Sequence, residues 1–361
     1  MELQTQPDFD QIMQRYEAWL NCEIIDRPPI WLPPYFAEPK KPHPAKPYVS
    51  LKDKWLDFED HLNEFEAIID GSIPVGDSPQ RLFPNLGPEL VSTLFDAELE
   101  FADHTSWTIP CYKSCRDILD VEPNFGAPMW QAIHKYTAMS LERGKGKWVT
   151  GLTDLHFNAD LLSALRDPQE LCFELMDDPE GVQAACRHVD GFMEAIYNDL
   201  YEPIAAAGEP ICGWTPAPHA GRMHIPQCDF ICMISPEMFR KTVLPCIEHE
   251  TNFADRSIFH LDGPGALGHL DDLLALPNLH AVQWVYGAGA GTCTDWVDVY
   301  KRIQAGGKAL QLICDNFDQA LAMTEHLKPE GVWFYVIDSH SPQEFDAFVG
   351  RIEAWTAGKK A

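Results

Sequence analysis

The chain has 361 residues, 45% of them hydrophobic, and a formal net charge of −28 at pH 7. This charge repels DNA, RNA and anionic lipid, so nucleic acid and membrane surfaces are excluded as expected partners, whereas a small-molecule substrate is not. The 11 cysteines are scattered without a Cys-x-x-Cys pair, and neither a signal peptide nor an apolar stretch of membrane-spanning length is visible. We therefore expect reduced thiols and a cytoplasmic protein, and the charge is compatible with a homodimer.

The N-terminal part of the chain predicts helices separated by irregular proline-rich segments. A helical apolar stripe runs through Met1–Asp26, and helical periodicity returns in Trp55–Ile69. Between them, Pro28–Pro47, which includes Lys40 and Lys41, is too rich in proline for a long regular element. Ordered loops of this kind often cover a site in a compact enzyme, although a simple surface wrap is an equal alternative.

Short apolar runs that end in polar or glycine-rich residues alternate with helical stretches in the rest of the chain. Such continuously apolar runs are typical of parallel strands in βαβ units, which are buried on both faces. Helices are predicted over Pro264–Leu276 and Asp295–Ala305, and two more begin at Ser235 and Ser341, each a capping serine followed by proline. The predicted strands are Ile30–Leu32, Glu98–Ala102, Lys147–Gly151, Glu209–Trp214, Ser257–His260, Ala281–Tyr286, Ala309–Ile313 and Val332–Ile337.

A spacing of about thirty residues from strand to strand predicts an α/β fold, the (β/α)8 TIM barrel. A barrel of this type needs about 250 residues. We therefore expect a single domain over residues 1–361, with the N-terminal helical and proline-rich additions inside residues 1–120. An open doubly wound sheet is the alternative, but no Gly-x-Gly-x-x-Gly turn follows an early strand to support dinucleotide binding.

Polar side chains follow most of the predicted strands. In a barrel enzyme the catalytic groups lie at the carboxyl ends of the strands, so these residues are expected to converge on one mouth. Each of them alone has a simpler explanation as a helix cap or a packed core residue, and their accumulation at one rim favours a site. They are Asp154, His156, Trp214, His260, Asp262, Tyr286, Cys314, Asp315, Asp338 and His340.

The segment Phe259–Gly265 is the sharpest local signal. Residues two apart on a strand share a face, so His260 and Asp262 are expected to point the same way. An imidazole and a carboxylate at this spacing can act as an acid/base pair or bind a divalent metal. Alternatively, Asp262 caps the helix that begins at Pro264 and His260 only packs.

Several segments together match the pattern of a known family. They are Gln227–Phe239, His260–Gly265, Leu327–Gly331, Thr153–His156 with Leu162–Asp167, and Pro84–Pro88. With these segments the chain resembles the uroporphyrinogen decarboxylase superfamily from about Glu23 onward. The most specific feature is Asp229 followed by the helix start Ser235–Glu237.

The resemblance implies a (β/α)8 barrel and one of several chemistries. One branch decarboxylates uroporphyrinogen without a cofactor, and another transfers methyl groups from corrinoid proteins to thiols using zinc. The decarboxylase has an arginine-rich N-terminal motif that meets the many carboxylates of its substrate, but here Asp26–Pro34 contains a single arginine. Because an unpaired buried charge is costly, uroporphyrinogen is not the expected substrate.

The methyltransferase branch is the better match, with different metal ligands. In that branch a His-x-Cys pair and a later cysteine hold zinc, and the corresponding positions here are His260, Asp262 and Asp338. Oxygen in place of sulfur makes the site harder and admits other divalent ions. The expected cofactor is therefore zinc or another divalent metal, with a metal-free protein as the alternative.

Three functions remain open at this stage. The first is a methyltransferase that acts on a small methylated substrate or thiol, with a corrinoid protein as its partner. In it, Asp229, His260 and Asp262 are the catalytic residues, and the metal ligands are His260, Asp262 and Asp338. The second is a cofactor-free decarboxylase or other lyase, in which Asp229 stabilises a protonated intermediate. The third is a barrel that binds a ligand without turnover. The residues expected to bind the substrate are Asp154, His156, Trp214, Tyr286 and His340.

Overall fold

The structure is a computed structural model that describes residues 3–39 and 43–358. The expectations that concern Met1, Lys40 and Lys41 lie outside the described residues. The α-helices are α1 (Phe9–Leu20), α2 (Leu51–Trp55), α3 (Phe58–Gly71), α4 (Pro128–Gly144), α5 (Asn158–Arg166), α6 (Pro168–Asp177), α7 (Pro179–Asp190), α8 (Met193–Ala206), α9 (Pro236–Thr242), α10 (Leu244–Phe253), α11 (Leu270–Leu274), α12 (Val297–Ala305), α13 (Phe317–Met323) and α14 (Pro342–Thr356). The strands are β1 (Ile30–Trp31), β2 (Arg81–Leu82), β3 (Glu98–Phe101), β4 (Ser106–Ile109), β5 (Val149–Thr150), β6 (Ile211–Cys212), β7 (Pro218–His219), β8 (Met223–His224), β9 (Arg256–Asp262), β10 (Ala281–Val285), β11 (Ala309–Cys314) and β12 (Val332–Val336).

A curled parallel sheet of six strands forms the centre of the fold. Its order is β1-β12-β11-β10-β9-β8, and every neighbouring pair in it is parallel. The parallel β/α architecture expected from the sequence is therefore present, and the fold resembles a TIM barrel. Among the described residues the strands do not close into a ring of eight, because strand pairing does not continue from either edge of this sheet into β2 and β5, which pair with each other.

Two strand assignments from the sequence need correction. The expected barrel strand Glu98–Ala102 is wrong, because β3 pairs antiparallel with β4 in a separate hairpin. Its charged residues Glu98 and Glu100 are exposed while the intervening apolar positions are buried, which is the alternation of a one-sided hairpin. The predicted strand Glu209–Trp214 shortens to β6, which pairs antiparallel with β7 and also accepts the Leu152 amide through Cys212 O at 3.0 Å.

A buried aspartate joins β1 to the segment that leads into β2. Asp77 is 0% exposed and binds Arg15 at 2.7 Å and Arg27 at 2.5 Å. Its carboxylate also accepts the Ile30 amide at 2.8 Å, and its own amide donates to Ile30 O at 2.7 Å. The Asp77 side chain and one backbone hydrogen bond therefore bridge this gap, where β1 and β2 do not form a ladder.

Helix α1 packs against the N-terminal ends of the central strands. The indole Nε1 of Trp19 donates to Leu310 O at 3.2 Å and to Gly331 O at 3.1 Å, next to the starts of β11 and β12. Tyr16 and Trp19 also make edge-to-face contacts with Trp333 inside the sheet. The predicted N-terminal helix is confirmed in this shorter form, and it leaves the opposite end of the strands for a site.

The predicted helix starts agree with the structure where a capping serine is present. Ser235 Oγ accepts the Met238 amide at 3.2 Å, and Ser341 forms a capping box with Glu344. The predicted helix Pro264–Leu276 is instead a 3-10 helix, Pro264–His269, followed by α11. Among the described residues, no helix combines the length and apolar character needed to cross a membrane.

Candidate active site

The site is centred on His260, which lies on the inner face of β9. Its register partner on β10 is Gln283, and the imidazole Nδ1 donates to Gln283 Oε1 at 2.5 Å. Because an amide oxygen can only accept, Nδ1 carries the proton of this hydrogen bond, and Nε2 is the ring nitrogen that faces the site. Further along the same layer, Gln283 is paired with Gln311 on β11, and Gln311 with Trp333 on β12. The imidazole is thus held with Nε2 available to a proton or a metal.

Three ligand atoms converge at the carboxyl end of β9. Asp229, His260 and Asp262 each contribute one ligand atom, and these three atoms lie within 4.8 Å of one another. The distance from His260 Nε2 to Asp229 Oδ1 is 3.9 Å. Asp262 is on the same strand face as His260, as the sequence predicted, whereas Asp229 enters from the 3-10 helix Asp229–Met233 that follows β8. Within the described part of the chain this is the one group of three or more metal-binding side chains that meets this spacing.

Asp160 positions the segment that carries Asp229. Its carboxylate accepts the backbone amides of Asp229 at 2.9 Å and of Phe230 at 3.0 Å. Asp160 itself is 6% exposed and lies in the first turn of α5. Because these two bonds hold the start of the 3-10 helix, they determine where the Asp229 side chain stands relative to His260.

A half-buried histidine beside this segment partly neutralises the nearby acids. His156 Nε2 lies 3.2 Å from Asp154 Oδ2, and its Nδ1 lies 3.6 Å from Asp160 Oδ2. Burial opposes protonation of His156, but the carboxylates of Asp154, Asp160 and Asp229 outweigh it and raise the pKa of His156 to about 9. At neutral pH His156 is therefore a cation among these acids.

Asp229 has a raised affinity for a proton. Its side chain is 59% exposed toward the mouth, yet protein surrounds it closely enough for desolvation to raise its pKa. The Asp160 carboxylate raises the pKa of Asp229 further, while His260 and His156 oppose the rise. This direction favours a carboxyl group that exchanges protons within the mouth.

The structure brings some of the other predicted site residues to this cluster. Trp214 packs edge-to-face on His260, with ring centroids 4.9 Å apart and planes at 83°. Asp154 is connected to this cluster through Gln227, whose Nε2 donates to Asp154 Oδ1 at 2.6 Å. Gln227 also forms a bridge with His260 in the backbone. Asp154, His156 and Trp214 therefore belong to one connected group with His260.

The remaining predicted residues lie along other strands of the same edge. Asp338 is exposed and follows β12. In the sheet, β12 is three strands away from β9, which is roughly 14 Å along the sheet at the usual spacing of strands. It is not part of the three-ligand group, so the predicted role of Asp338 as a metal ligand gains no support from its position.

Two of these residues have structural partners of their own. His340 stacks on Phe317 with ring centroids 3.8 Å apart. Asp315 accepts a hydrogen bond from Gln319 at 2.8 Å. Both contacts attach the residues to α13. The stacking agrees with the packing alternative for His340, whereas the cap of α13 is Asn316 and not Asp315.

Tyr286 and Cys314 lie at the carboxyl ends of β10 and β11, which are between β9 and β12 in the sheet. Tyr286 is half-buried after β10, and burial together with nearby Cys293 and Asp315 raises its pKa to about 12. Cys314 is buried with its sulfur 3.6 Å from that of Cys293. Tyr286 therefore remains a neutral wall of the mouth at physiological pH, and Cys314 belongs to the core.

Sequence reasoning missed three residues that organise the site: Asp160, Gln227 and Gln283. Gln283 did carry a signal, since it interrupts the otherwise apolar run Ala281–Val285, and a polar residue inside a doubly buried strand needs a partner. Asp160 carried none, because the two backbone amides that it accepts, those of Asp229 and Phe230, lie far along the chain.

The donor set suits a divalent ion of borderline or hard character. One imidazole and two carboxylates are ligands that zinc accepts and that also suit harder ions such as manganese or iron. The hydrogen bond from His260 to Gln283 provides the outer partner that metal-binding histidines usually have. The residues present therefore fit a metal, with oxygen replacing the sulfur ligands implied by the family resemblance.

No family model and no curated protein matches the sequence. Among solved structures, a methyltransferase from Methanosarcina mazei is similar to this chain with a TM-score of 0.61 and 12% sequence identity. The similarity covers 94% of this chain and 97% of the other. At this identity the two proteins share a fold over nearly their whole length.

Proposed function

We propose that this protein is a metal-dependent enzyme of the methyltransferase type that acts on a small methylated substrate or thiol. The observation that carries the proposal is the convergence of Asp229, His260 and Asp262 within 4.8 Å at the carboxyl ends of the strands. The fold shared with a methyltransferase supports the same reaction class. A separate corrinoid protein acting as the methyl carrier is part of the proposal.

The three residues would hold the ion, with Nε2 of His260 as the nitrogen ligand. When bound, a divalent ion would act as a Lewis acid, either on the sulfur of the reacting thiol or on the substrate atom from which the methyl group is removed. Gln283 keeps the imidazole in the tautomer and orientation that this role requires. Trp214 forms an apolar wall beside the imidazole, which limits the access of water.

Protons are handled by the acids and the histidine around this group. Because the pKa of Asp229 is raised in the absence of metal, binding of the ion would release a proton from this carboxyl group. His156 carries a positive charge next to Asp154 and Asp160, so it offsets part of the negative charge that three neighbouring acids create. The mouth thus tolerates a change of charge during the reaction.

A cofactor-free decarboxylase is the second candidate. The raised pKa of Asp229 favours it, because a protonated carboxyl group can deliver the proton that replaces carbon dioxide. The density of carboxylates around Asp229 disfavours it, because a substrate with several carboxylates needs several cationic partners.

Metal analysis of the purified full-length chain tests the proposal. We expect near-stoichiometric divalent metal in the wild type before dialysis against chelator, and little metal in the His260→Gln variant, which lacks the nitrogen ligand. His326→Gln, which replaces an exposed histidine outside the site, is the matched control and should retain the metal. Equal metal content in His260→Gln and wild type would contradict the proposal, and a metal-free wild type would favour the decarboxylase.

A further inference from the structure

A cavity beside the carboxyl end of β2 shares no residue with the candidate active site. Its volume is about 240 Å³, and α2, α3, α4, the segment after β2 and the turn between β3 and β4 border it. This volume is smaller than that of a pocket for a drug-sized molecule, so it suits a ligand of one or two rings. The residues that line it include Trp55, His61, Phe83, Asn85 and Tyr136.

Aromatic rings form much of the cavity wall, and packing holds two of them in place. Trp55 Nε1 donates to Ala102 O at 2.8 Å, which connects α2 to the end of β3. The ring of Tyr136 stacks on Phe58 with centroids 4.5 Å apart and planes at 8°. Trp55 and Phe83 are only half-buried, although large aromatic rings gain free energy from burial. The wall is therefore preformed for a ligand that can stack, and ordering it on binding costs little entropy.

Three polar side chains of the wall are neutral and can form hydrogen bonds. Asn85 Oδ1 accepts the Gly87 amide at 2.8 Å, whereas Asn85 Nδ2 donates to no other described residue. Burial raises the pKa of Tyr136 and lowers the pKa of His61, so at neutral pH the phenol keeps its proton and the imidazole is uncharged. A phenol and a neutral imidazole can each donate and accept, and the asparagine adds a donor.

The charges at the rim of the cavity oppose each other. Lys54 and Asp103 are both exposed residues of its lining and carry opposite charges. The formal net charge of −28 on the whole chain disfavours a ligand with negative charge. The ligand that fits is therefore uncharged and flat, with donors and acceptors along its edge.

We propose that this cavity binds a neutral, planar nitrogen heterocycle of the nucleobase class. Its faces stack on the aromatic rings of the wall, and its edge exchanges hydrogen bonds with Asn85, His61 and Tyr136. Such a heterocycle combines π faces with several donors and acceptors, whereas a sugar lacks the faces and a hydrocarbon ring lacks the polar edge. The inference goes beyond the proposed function and does not rest on it, because the cavity and the metal-binding group have no residue in common.

Calorimetric titration of the full-length chain with adenosine, guanosine, cytidine and uridine tests the inference. Ribose is the control that lacks a base. We expect at least one nucleoside to bind and ribose not to bind. The 5′-monophosphate of the same nucleoside should bind no more tightly, because the charges at the rim oppose each other. Tighter binding of the monophosphate would contradict a site for a neutral ligand.

Substitution of Phe83 tests the stacking contact. Phe83→Leu keeps an apolar side chain but removes the π face, so it should weaken the nucleoside by about tenfold or more. Phe253→Leu is the matched control and should bind as the wild type does. Phe253 is also half-buried and lies outside the cavity, with Arg222 Cζ 5.1 Å from its ring centroid, while Arg81 Cζ lies 5.0 Å from that of Phe83.

Substitution of Asn85 tests the polar edge. Asn85→Asp keeps the oxygen that accepts the Gly87 amide and removes the Nδ2 donor, so it should weaken the nucleoside by about fivefold or more. Asn124→Asp is the matched control, because Asn124 Oδ1 accepts the Gly126 amide at 3.0 Å in the same kind of turn outside the cavity. It introduces the same charge and should leave the affinity unchanged.

The inference is overturned if none of the four nucleosides binds to the wild type, or if ribose binds as well as they do. It is also overturned if Phe83→Leu or Asn85→Asp binds as the wild type does, or if a control variant loses as much affinity as its partner. If Phe83→Leu does not fold, Tyr136→Phe, which keeps the stacked ring and removes only the hydroxyl, replaces it and should weaken the nucleoside by about threefold or more. Unchanged affinity in that variant would contradict the inference in the same way.

Discussion

His260 donates a hydrogen bond of 2.5 Å from Nδ1 to the amide oxygen of Gln283 on the neighbouring strand. The two residues are direct register partners, so the bond follows from the pairing of β9 with β10 and does not depend on a flexible loop. It assigns the proton to Nδ1 and leaves Nε2 for the group shared with Asp229 and Asp262.

Gln283→Leu should weaken metal binding by about 10- to 100-fold, the effect typical of losing an outer partner of a ligating histidine. The leucine leaves Nδ1 without an acceptor, so the imidazole loses its fixed orientation. Competition with a chromophoric chelator measures the affinity. Gln311→Leu is the matched control, because Gln311 is also buried but lies on β11, two strands away from His260. The metal affinity of this variant should equal that of the wild type. Equal affinities in the two variants would contradict the role of Gln283.

The charge of His156 should make stability depend on pH. Its pKa is raised from 6.5 to about 9 in the folded protein, so folding favours the protonated form. The resulting stabilisation is fully present below pH 6.5 and is lost as the pH rises through about 9. The difference in free energy of unfolding between wild type and His156→Gln should therefore shrink over this range in urea titrations.

Asp154→Asn provides the control for this pH dependence. It removes one of the carboxylates that raise the pKa of His156, so the same loss of stability should occur at lower pH. A difference between wild type and His156→Gln that stays constant across the range would show that His156 is not charged in the folded protein.

Asp160→Ala should destabilise the protein and disturb the site together. It leaves the buried amides of Asp229 and Phe230 without their acceptor, at a cost of about 1–3 kcal/mol. Because Asp229 then loses its position, metal affinity should fall as well. Asp57→Ala, which removes the cap of α3 outside the site, should lower stability and leave metal affinity unchanged. Wild-type metal affinity in Asp160→Ala would contradict the positioning role.

Asp77→Asn should destabilise the protein strongly. It leaves two buried arginines without their shared carboxylate, a change that costs about 3–5 kcal/mol for a buried ion pair. Chemical denaturation measures the loss, which should appear as a lower midpoint. Glu237→Gln breaks an exposed pair with Lys241 and is expected to leave stability nearly unchanged. Similar midpoints in the two variants would show that Asp77 does not hold β1 to the rest of the fold.

The sequence predicted the long strands well and the short ones poorly. The apolar runs that became β9 to β12 form strands of five to seven residues that are largely buried on both faces, so composition alone identifies them. β2 and β8 have two residues each and were not predicted, because so short a segment has no period. The hairpin strand β3 was taken for a barrel strand, since local pattern does not tell which strand is its partner.

The sequence by itself determined the alternation of strands and helices, the acidity of the chain, and the common face of His260 and Asp262, because these depend on local period and composition. Only the tertiary structure decided that Asp229 joins that pair and that Gln283 and Asp160 hold the group in place. These contacts depend on strand register and on the direction in which loops leave the sheet. Both are fixed by packing between segments far apart in the chain, which local residue patterns do not encode.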